Sequence, residues 1–336
     1  MPLLRRTIKL ATAEDFRRIV SANLNEARPD DNRRKRGRPT SSRQQGAKTQ
    51  HAVSDPYENS SAGMAVGFGK MPHQNGDCTT MTHTLDPQLL ERPIRILIVG
   101  CGGNGSAVVS GLPYLHQAML AFGHPGGLQV TLIDPDTVSE TNCVRQPFCR
   151  TEIGFPKAIV LAHRINLFWG LNWQGMQAKI QQIAKNADVD LVIGCVDTRK
   201  ARRAIEKWAL HSRVLYWLDL GNNASSGQFI LGQPKNRVNQ RKKHRLPSVT
   251  ELFPEIAAPD AKDDDQPSCS AAEALTKQEP FINQNLAYQA LGMLTQLLRH
   301  GSVSYQGGFC NLATGQVVPL GIRSVAATIP PIRRRR

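Results

Sequence analysis

The sequence predicts an α/β fold: a Rossmann-like, doubly wound and mostly parallel sheet with a crossover loop and a C-terminal β-hairpin. Three observations predict it. Short apolar, β-branched runs alternate with longer stretches at helical spacing, as in parallel strands joined by helices. The first run leads into a glycine-rich segment, residues 100–105, that opens a helix. Two last strand-like runs flank the turn residues 313–315, which predicts the hairpin.

Each element follows from a local pattern. The run Ile-Arg-Ile-Leu-Ile-Val is almost continuously apolar, as a strand buried on both faces of a parallel sheet requires. Strands are predicted over residues 94–99, 128–133, 189–193, 214–220, 303–312 and 316–322. Helices are predicted over about 106–122, 156–167, 199–210 and 281–298.

Composition shifts divide the chain into three parts. Residues 1–80 are basic with little periodicity, which predicts a disordered extension. Residues 81–325 form the predicted folded domain. Within it, residues 235–268 pass from a basic to an acidic stretch and hold several prolines, which favours an irregular crossover loop. Residues 326–336 form a basic tail.

Bulk properties exclude several classes of protein. The sequence contains no run of 18 apolar residues, so we expect no membrane span, and its first residues do not resemble a signal peptide. The seven cysteines are scattered and odd in number, which suits a reducing compartment better than a disulfide framework. We therefore expect a cytoplasmic protein.

The formal net charge of +15 is unevenly distributed. Residues 1–80 carry 14 lysines and arginines against 8 acidic residues, and the chain ends in four arginines. Because the excess lies mainly in the tails, we do not expect nucleic acid to be the main partner. A DNA- or plasmid-associated protein that binds through these basic tails stays open as an alternative.

The glycine-rich segment is the first sign of a binding site. Gly100, Gly102, Gly103 and Gly105 lie between a predicted strand and helix, where glycines let the backbone approach a phosphate closely. Asp134 ends the next predicted strand, where a carboxylate meets a ribose hydroxyl. This pattern fits ATP and a nicotinamide dinucleotide equally well, and a tight turn without a ligand is the plainer interpretation.

Four segments in order add a resemblance to a known family. They are residues 133–146, which contain Asp-Pro-Asp and Asn-Cys-Val-Arg-Gln, residues 153–158 with Gly-Phe-Pro-Lys-Ala, the sequence Cys-Val-Asp at 195–197, and Leu-Asp-Leu-Gly at 218–221. Together they resemble the ThiF/MoeB/HesA family, relatives of ubiquitin-activating enzymes, and within it the ThiF-like proteins of bacterial PRTRC cassettes. The resemblance covers about residues 92–325.

The resemblance implies an ATP-dependent adenylyltransferase that activates the C-terminal carboxylate of a small ubiquitin-like protein ending in glycine. By family position, Arg145 and Lys157 would bind the phosphates, and Asp197 would hold Mg²⁺. Asn142 would orient the triphosphate or nearby backbone, and Asp136 would contribute to the metal environment. Cations are needed because two anions must meet in this reaction. A homodimer is one assembly that the resemblance allows.

Three alternatives remain open at this level. An NAD(P)-dependent oxidoreductase would explain the glycine segment and Asp134 alone, although a hydride donor needs no cations such as Arg145 and Lys157. Asp197 could cap the helix that begins near Thr198. Cys269, in the crossover region, is either a nucleophile that takes the activated carboxylate as a thioester, as the resemblance implies for some relatives, or a semi-buried cysteine.

Overall fold

The computed structural model describes residues 81–258 and 278–322. The predicted N-terminal extension, the C-terminal tail and Cys269 lie outside these residues. The strands are β1 His83–Thr84, β2 Ile94–Val99, β3 Leu128–Ile133, β4 Gln174–Met176, β5 Leu191–Gly194, β6 Tyr216–Asn222, β7 Ser226–Gly232, β8 Ser302–Val303, β9 Tyr305–Asn311 and β10 Gln316–Gly321. The α-helices are α1 Gly103–Ala121, α2 Asn142–Arg145, α3 Lys157–Trp169, α4 Arg199–His211, α5 Val249–Leu252 and α6 Ile282–His300.

Within the described residues one sheet of eight strands forms the centre of the fold, in the order β10-β9-β7-β6-β5-β2-β3-β4. The pairs from β6 to β4 are all parallel, and the pairs that join β6, β7, β9 and β10 are antiparallel. The fold is therefore the predicted Rossmann-like α/β arrangement. The carboxyl ends of β2, β3 and β5 meet at one edge, and this edge carries the candidate site.

The two faces of the sheet bury separate sets of apolar side chains. Along β2, Ile96 and Ile98 pack on the face covered by α1, α3 and α6. Leu97 and Val99 point to the opposite face and pack with residues of α4. This alternation follows from the two-residue period of a strand, and it produces helices on both faces, as predicted.

The predicted strands and helices agree with the structure to within about three residues at most ends, and the C-terminal hairpin is confirmed. Two strands of the eight-stranded sheet were not predicted. β4 has only three residues and lies at the sheet edge, too short for a periodic signal. β7 begins and ends near glycines, and its hairpin with β6 has a turn in which Asn223 Oδ1 accepts the N–H of Ser226 at 3.0 Å.

The first half of the predicted crossover loop is more ordered than the sequence predicts. Buried Asn236 and Asn239 both donate side-chain hydrogen bonds to the carbonyl oxygen of Val214, at 2.8 and 3.1 Å. Ser248 and Glu251 form a capping box that starts α5. These polar side chains replace the backbone partners that a regular element would supply, so prolines nearby did not prevent an ordered chain. None of the helices in the described ranges is long and apolar enough to cross a membrane.

Candidate functional site

The glycine turn joins β2 to α1, and two of its glycines are required by packing. Gly100 has a φ of +94°, and a Cβ there would lie 2.7 Å from the carbonyl oxygen of Cys195. A Cβ on Gly105 would overlap the carbonyl oxygen of Gly100. Both glycines are therefore needed by the fold itself, whether or not a ligand binds.

Gly102 is different because open space lies in front of it. It is the N-cap of α1, and no side chain caps that helix. A Cβ at this position would have only Gln146 Nε2 within reach, at 4.0 Å. The first N–H groups of a helix have no partner within it, and they lie at the positive end of its dipole. An open helix start of this kind favours a phosphate or a carboxylate.

Asp134 connects the end of β3 to the glycine turn. Its Oδ2 accepts the N–H of Cys101 at 2.5 Å, and its Oδ1 accepts the N–H of Asp136 at 2.8 Å. Burial raises the pKa of Asp134, while these two hydrogen bonds and the charge of Lys157 oppose that rise. Asp134 therefore fixes the shape of the turn, and its predicted contact with a ribose stays a prediction.

Lys157 is the first residue of α3 and is 7% exposed. Its Nζ lies 3.4 Å from Oδ2 of Asp136, whose side chain is 65% exposed. Its backbone N–H also donates to the carbonyl oxygen of Asp136, at 3.1 Å. The structure thus brings Lys157, Asp134 and Asp136 together at the ends of the strands, with a nearly buried ammonium group beside an exposed carboxylate.

Asn142 begins the single-turn helix α2 and supports the local backbone. Its Oδ1 accepts the N–H of Ser139 at 2.9 Å, and its own N–H donates to the carbonyl oxygen of Ser139 at 3.1 Å. The side chain is buried. This geometry fits the predicted role of orienting nearby backbone, while a direct contact with a triphosphate stays a prediction.

Arg145, at the end of α2, is a partly buried cation without a carboxylate partner in the described part of the chain. Its Nη1 donates to Oε1 of the neutral side chain of Gln278, and its Nε is buried without a partner. Burial lowers the pKa of Arg145, and the charge of nearby Asp197 opposes this in part. Because no paired anion is present among the described residues, the free-energy cost of desolvating the guanidinium is poorly compensated.

Asp197 lies exposed in the turn between β5 and α4. The interpretation of Asp197 as a helix cap is wrong, because Thr198 is the N-cap and its hydroxyl accepts the N–H of Ala201 at 3.1 Å. Asp197 comes one residue too early for that bond. Its carboxylate therefore remains available at the surface, within electrostatic range of Arg145.

A buried ion pair holds the turn that carries Asp197. Arg202 Nε donates to both carboxylate oxygens of Asp219, at 3.2 and 3.0 Å, and its Nη2 donates to the carbonyl oxygen of Val196 at 2.9 Å. A Cβ on Gly221 would lie 2.6 Å from that Nη2, so glycine gives the guanidinium its space. Burial raises the pKa of Asp219, and the charge of Arg202 opposes this.

Unpartnered polar atoms gather around the glycine turn. Six buried side-chain polar atoms of the described residues have no hydrogen-bond partner, and three of them are Asn104 Oδ1, Arg145 Nε and Gln146 Oε1. Asn104 is the second residue of α1, and Gln146 lies opposite Gly102. A buried polar atom without a partner costs about 1–3 kcal/mol. Three such atoms at one turn indicate a polar ligand.

A model of the ThiF family matches residues 85–320, more than half of the 336-residue chain. The chain belongs to the ThiF family. A search of curated proteins gives no match to this ThiF-family chain.

Several solved structures are similar to this ThiF-family chain. PaaA is 14% identical with a TM-score of 0.45, over 68% of this chain and 64% of that one. MccB from E. coli, solved with ATP, is 15% identical with a TM-score of 0.46, over 70% of this chain and 66% of that one. MccB with AMPCPP and MccA gives the same identity and TM-score, over 70% and 65%. The chain spans just under two thirds of the length of these structures.

The predicted site residues of this ThiF-family chain form two groups that flank the glycine turn. Asp134, Asp136 and Lys157 contact one another beside Cys101, as described above. Arg145 lies in the second group with Asp197 in electrostatic range. It is linked to Gly103 through the amide side chains of Gln278 and Asn283, which lie just before α6 and on α6. Sequence reasoning missed both amides.

The missed residues differ in the signal that they gave. Asp219 is a charged residue within an apolar run, and such a residue needs a buried partner, so the sequence did contain a signal. Its partner Arg202 lies on an otherwise ordinary basic helix. The amide side chains of Gln278 and Asn283 gave none, because polar residues near a helix start are common.

The donors near the turn also suit the metal that the ThiF family implies. No cluster of three or more His, Cys, Asp or Glu residues occurs in the described ranges. Mg²⁺ commonly takes one or two carboxylates and completes its shell with water and substrate phosphates. The exposed carboxylate of Asp197 therefore fits a metal that arrives with a nucleotide, and Asp136 in the other group is exposed as well.

Proposed function

We propose that this ThiF-family chain is an ATP-dependent adenylyltransferase that activates the C-terminal carboxylate of a small ubiquitin-like protein. In this reaction a carboxylate oxygen attacks the α-phosphorus of ATP. The bond from that phosphorus to the oxygen bridging to the β-phosphate breaks, and pyrophosphate leaves. The product is an acyl-adenylate on the partner's terminal glycine.

This proposal rests mainly on Arg145, because the positive charge of its partly buried guanidinium is incompletely compensated by its neighbours. A partly buried guanidinium with a neutral acceptor and an unpartnered Nε lies next to an open, uncapped helix start. Both features favour the binding of an anion, and a guanidinium can bind two phosphate oxygens at once. A triphosphate supplies enough charge for both. A simple structural turn would need neither.

Each predicted residue has a defined task in this reaction. Arg145 and Lys157 would draw the negative phosphates and the attacking carboxylate together and stabilise the charge that develops on the phosphoryl oxygens. Asp134 would hold the turn and reach the ribose, and Asn142 would keep α2 in place. Mg²⁺ bound by Asp197 would offset phosphate charge. No covalent bond to this chain is needed for adenylation.

A second step through Cys269 is part of the same proposal. Its thiolate would attack the activated carbonyl carbon, and the bond from that carbon to the phosphate oxygen would break. AMP would be released, and the acyl group would remain as a thioester on Cys269. The support is the resemblance of the sequence alone. A protein adduct that thiols release, and that is lost in Cys269→Ala while exchange persists, is the expected result. No adduct in the wild type would remove this step.

The NAD(P) alternative makes a contrasting demand on the site. NAD⁺ needs the glycine turn and a carboxylate such as Asp134, and it has no third phosphate for two additional cations; NADP would use an arginine only at its 2′-phosphate, beside the ribose. The half-buried Arg145 and the buried Lys157 therefore favour ATP. We expect variants of either cation to lose ATP binding, whereas binding of NAD⁺ would not depend on both of them.

Pyrophosphate–ATP exchange tests the proposed function. Purified protein is incubated with labelled pyrophosphate, ATP, Mg²⁺ and candidate ubiquitin-like proteins, and label entering ATP is measured. We expect exchange that depends on a partner with a free C-terminal glycine carboxylate and that is lost when this carboxylate is amidated. Exchange absent with every candidate, or unaffected by amidation, would contradict the proposal.

A further inference from the structure

Gln278, just before α6, is the side chain that holds Arg145. Gln278 is partly buried, and its Oε1 accepts a hydrogen bond from Arg145 Nη1. We propose that Gln278 is a positioning residue that directs the Arg145 guanidinium toward the glycine turn while leaving its charge available for phosphate. This inference rests on the proposed function and names two residues that it did not include, Gln278 and Asn283.

The orientation of the Gln278 amide is fixed by two donors. Besides Arg145, Asn283 donates from Nδ2 to the same Oε1, at 3.3 Å. An amide that faces two donors must present its oxygen, because its NH₂ group can only donate. The acceptor that Arg145 meets is therefore set by Asn283 and does not depend on chance rotation of the Gln278 side chain.

Asn283 packs against the glycine turn. It lies on α6, is 4% exposed, and its side chain packs against Gly103 so closely that a Cβ there would lie 2.5 Å from Nδ2. The chain of contacts therefore runs from Gly103 through Asn283 and Gln278 to Arg145. The α1·α6 contact is among the most extensive in the fold, so packing between these helices supports this chain of contacts.

The neutral character of the acceptor has a direct consequence for binding. A carboxylate at this position would neutralise the guanidinium and would repel phosphate oxygens. Asp197 is close enough to influence the pKa of Arg145 but does not form an ion pair with it in the described residues. Arg145 is thus oriented by an uncharged group, and no carboxylate of residues 81–258 or 278–322 forms an ion pair with it.

Substitution of Gln278 tests this inference by binding and kinetics. In Gln278→Ala the guanidinium loses its acceptor, and we expect the Kd and KM for ATP to rise about tenfold with kcat within about twofold. Gln296→Ala is the matched control, since Gln296 is an exposed amide near the other end of α6. Its expected effect is nil. Binding is measured by calorimetry with Mg²⁺-ATP, and Tm is recorded for each variant.

The charged isostere separates positioning from a structural role. Gln278→Glu keeps the shape and both acceptor contacts, so a structural role predicts wild-type ATP affinity, whereas we expect weaker ATP binding with an unchanged or higher Tm. Normal ATP affinity in Gln278→Glu, with or without normal affinity in Gln278→Ala, overturns this inference alone, provided that the wild type binds ATP. Failure of the wild type to bind ATP overturns the proposed function and this inference with it.

Discussion

The carboxylate of Asp134 accepts the backbone N–H of Cys101, so one side chain joins the end of β3 to the glycine turn that follows β2. The other oxygen of Asp134 accepts the N–H of Asp136, whose exposed carboxylate lies beside Lys157. The turn and the first group of predicted site residues therefore form one hydrogen-bonded unit. Contacts within the chain thus hold its geometry, which favours electrostatic preorganisation.

Gly102 and Gly103 form a matched pair for testing whether the turn binds phosphate. A Cβ on Gly102 meets no atom closer than 4.0 Å, so Gly102→Ala should lower Tm less than Gly103→Ala but place a methyl group where a phosphate would approach. We expect its ATP affinity to fall at least tenfold. Gly103→Ala should lower Tm as well, because its Cβ meets the amide of Asn283. Calorimetry and thermal unfolding measure both; undiminished ATP affinity in Gly102→Ala would contradict a phosphate at the turn.

Lys157 should contribute more to the reaction than to stability. In Lys157→Gln the amide can still meet Asp136, but the positive charge near the phosphates is lost. We expect partner-dependent exchange to fall roughly 100-fold, as for removal of one transition-state donor. Lys179→Gln, which alters an exposed lysine, is the control and should keep full exchange. A Lys157→Gln variant as active as this control would exclude a role for Lys157 at the site.

The Arg202–Asp219 pair should support both the fold and the turn of Asp197, and a double variant separates the two. Arg202→Met leaves a buried carboxylate without its partner, so the free energy of unfolding should fall by about 3–5 kcal/mol. Combining Arg202→Met with Asp219→Leu should recover most of that stability, measured by urea unfolding. Exchange should stay slow, because the Val196 carbonyl next to Asp197 is no longer held. Recovery of exchange together with stability would restrict the pair to a structural role.

The Asp190 carboxylate, at the start of β5, should make stability depend on pH. Burial alone would raise the pKa of Asp190, but hydrogen bonds from Arg92 and Arg95 outweigh it and hold the pKa below its ordinary value. The stabilisation is therefore present above the unfolded pKa of about 3.9 and is lost as pH falls through the lower folded pKa. At pH 7, Asp190→Asn should lose about 2–3 kcal/mol, a value reduced from that of a fully buried pair because Arg92 is partly exposed.

Urea unfolding at several pH values checks this dependence. The difference between wild type and Asp190→Asn should be constant near neutrality and should shrink below about pH 4. Asp188→Asn removes the other, largely exposed partner of Arg95 and should change stability by less than about 1 kcal/mol at any pH. A difference for Asp190→Asn that grows on acidification would contradict the direction of the pKa shift.

The sequence predicts the central strands well because their signal is local. Residues 94–99 and 128–133 are strands with the predicted bounds, since buried parallel strands carry nearly continuous apolar runs that end at Gly100 and Asp134. β4 and β7 escaped prediction because their pairing depends on neighbouring strands and not on their own composition.

The site is predictable as a set of residue types but not as a set of contacts. Asp134, Arg145 and Lys157 stand out because their spacing matches a family motif. Gln278 and Asn283 do not, since their importance arises from α6 packing against α1 about 180 residues away in sequence. Long-range contacts between helices leave no periodic trace, and a neutral amide that orients a cation resembles any other polar residue.

Equilibrium binding of nucleotides to the Arg145 variants tests the central claim most directly. Calorimetry compares Mg²⁺-ATP and NAD⁺ for the wild type, Arg145→Met and Arg150→Met, in which replacement of an exposed arginine nearby in sequence serves as the control. We expect the wild type and Arg150→Met to bind ATP, and Arg145→Met to bind it at least 30-fold more weakly. That factor is consistent with loss of a charge-assisted hydrogen bond of about 2 kcal/mol or more. We also expect that NAD⁺ does not compete with ATP for the wild type. Tight NAD⁺ binding, or ATP binding that is the same in all three proteins, would contradict the central claim.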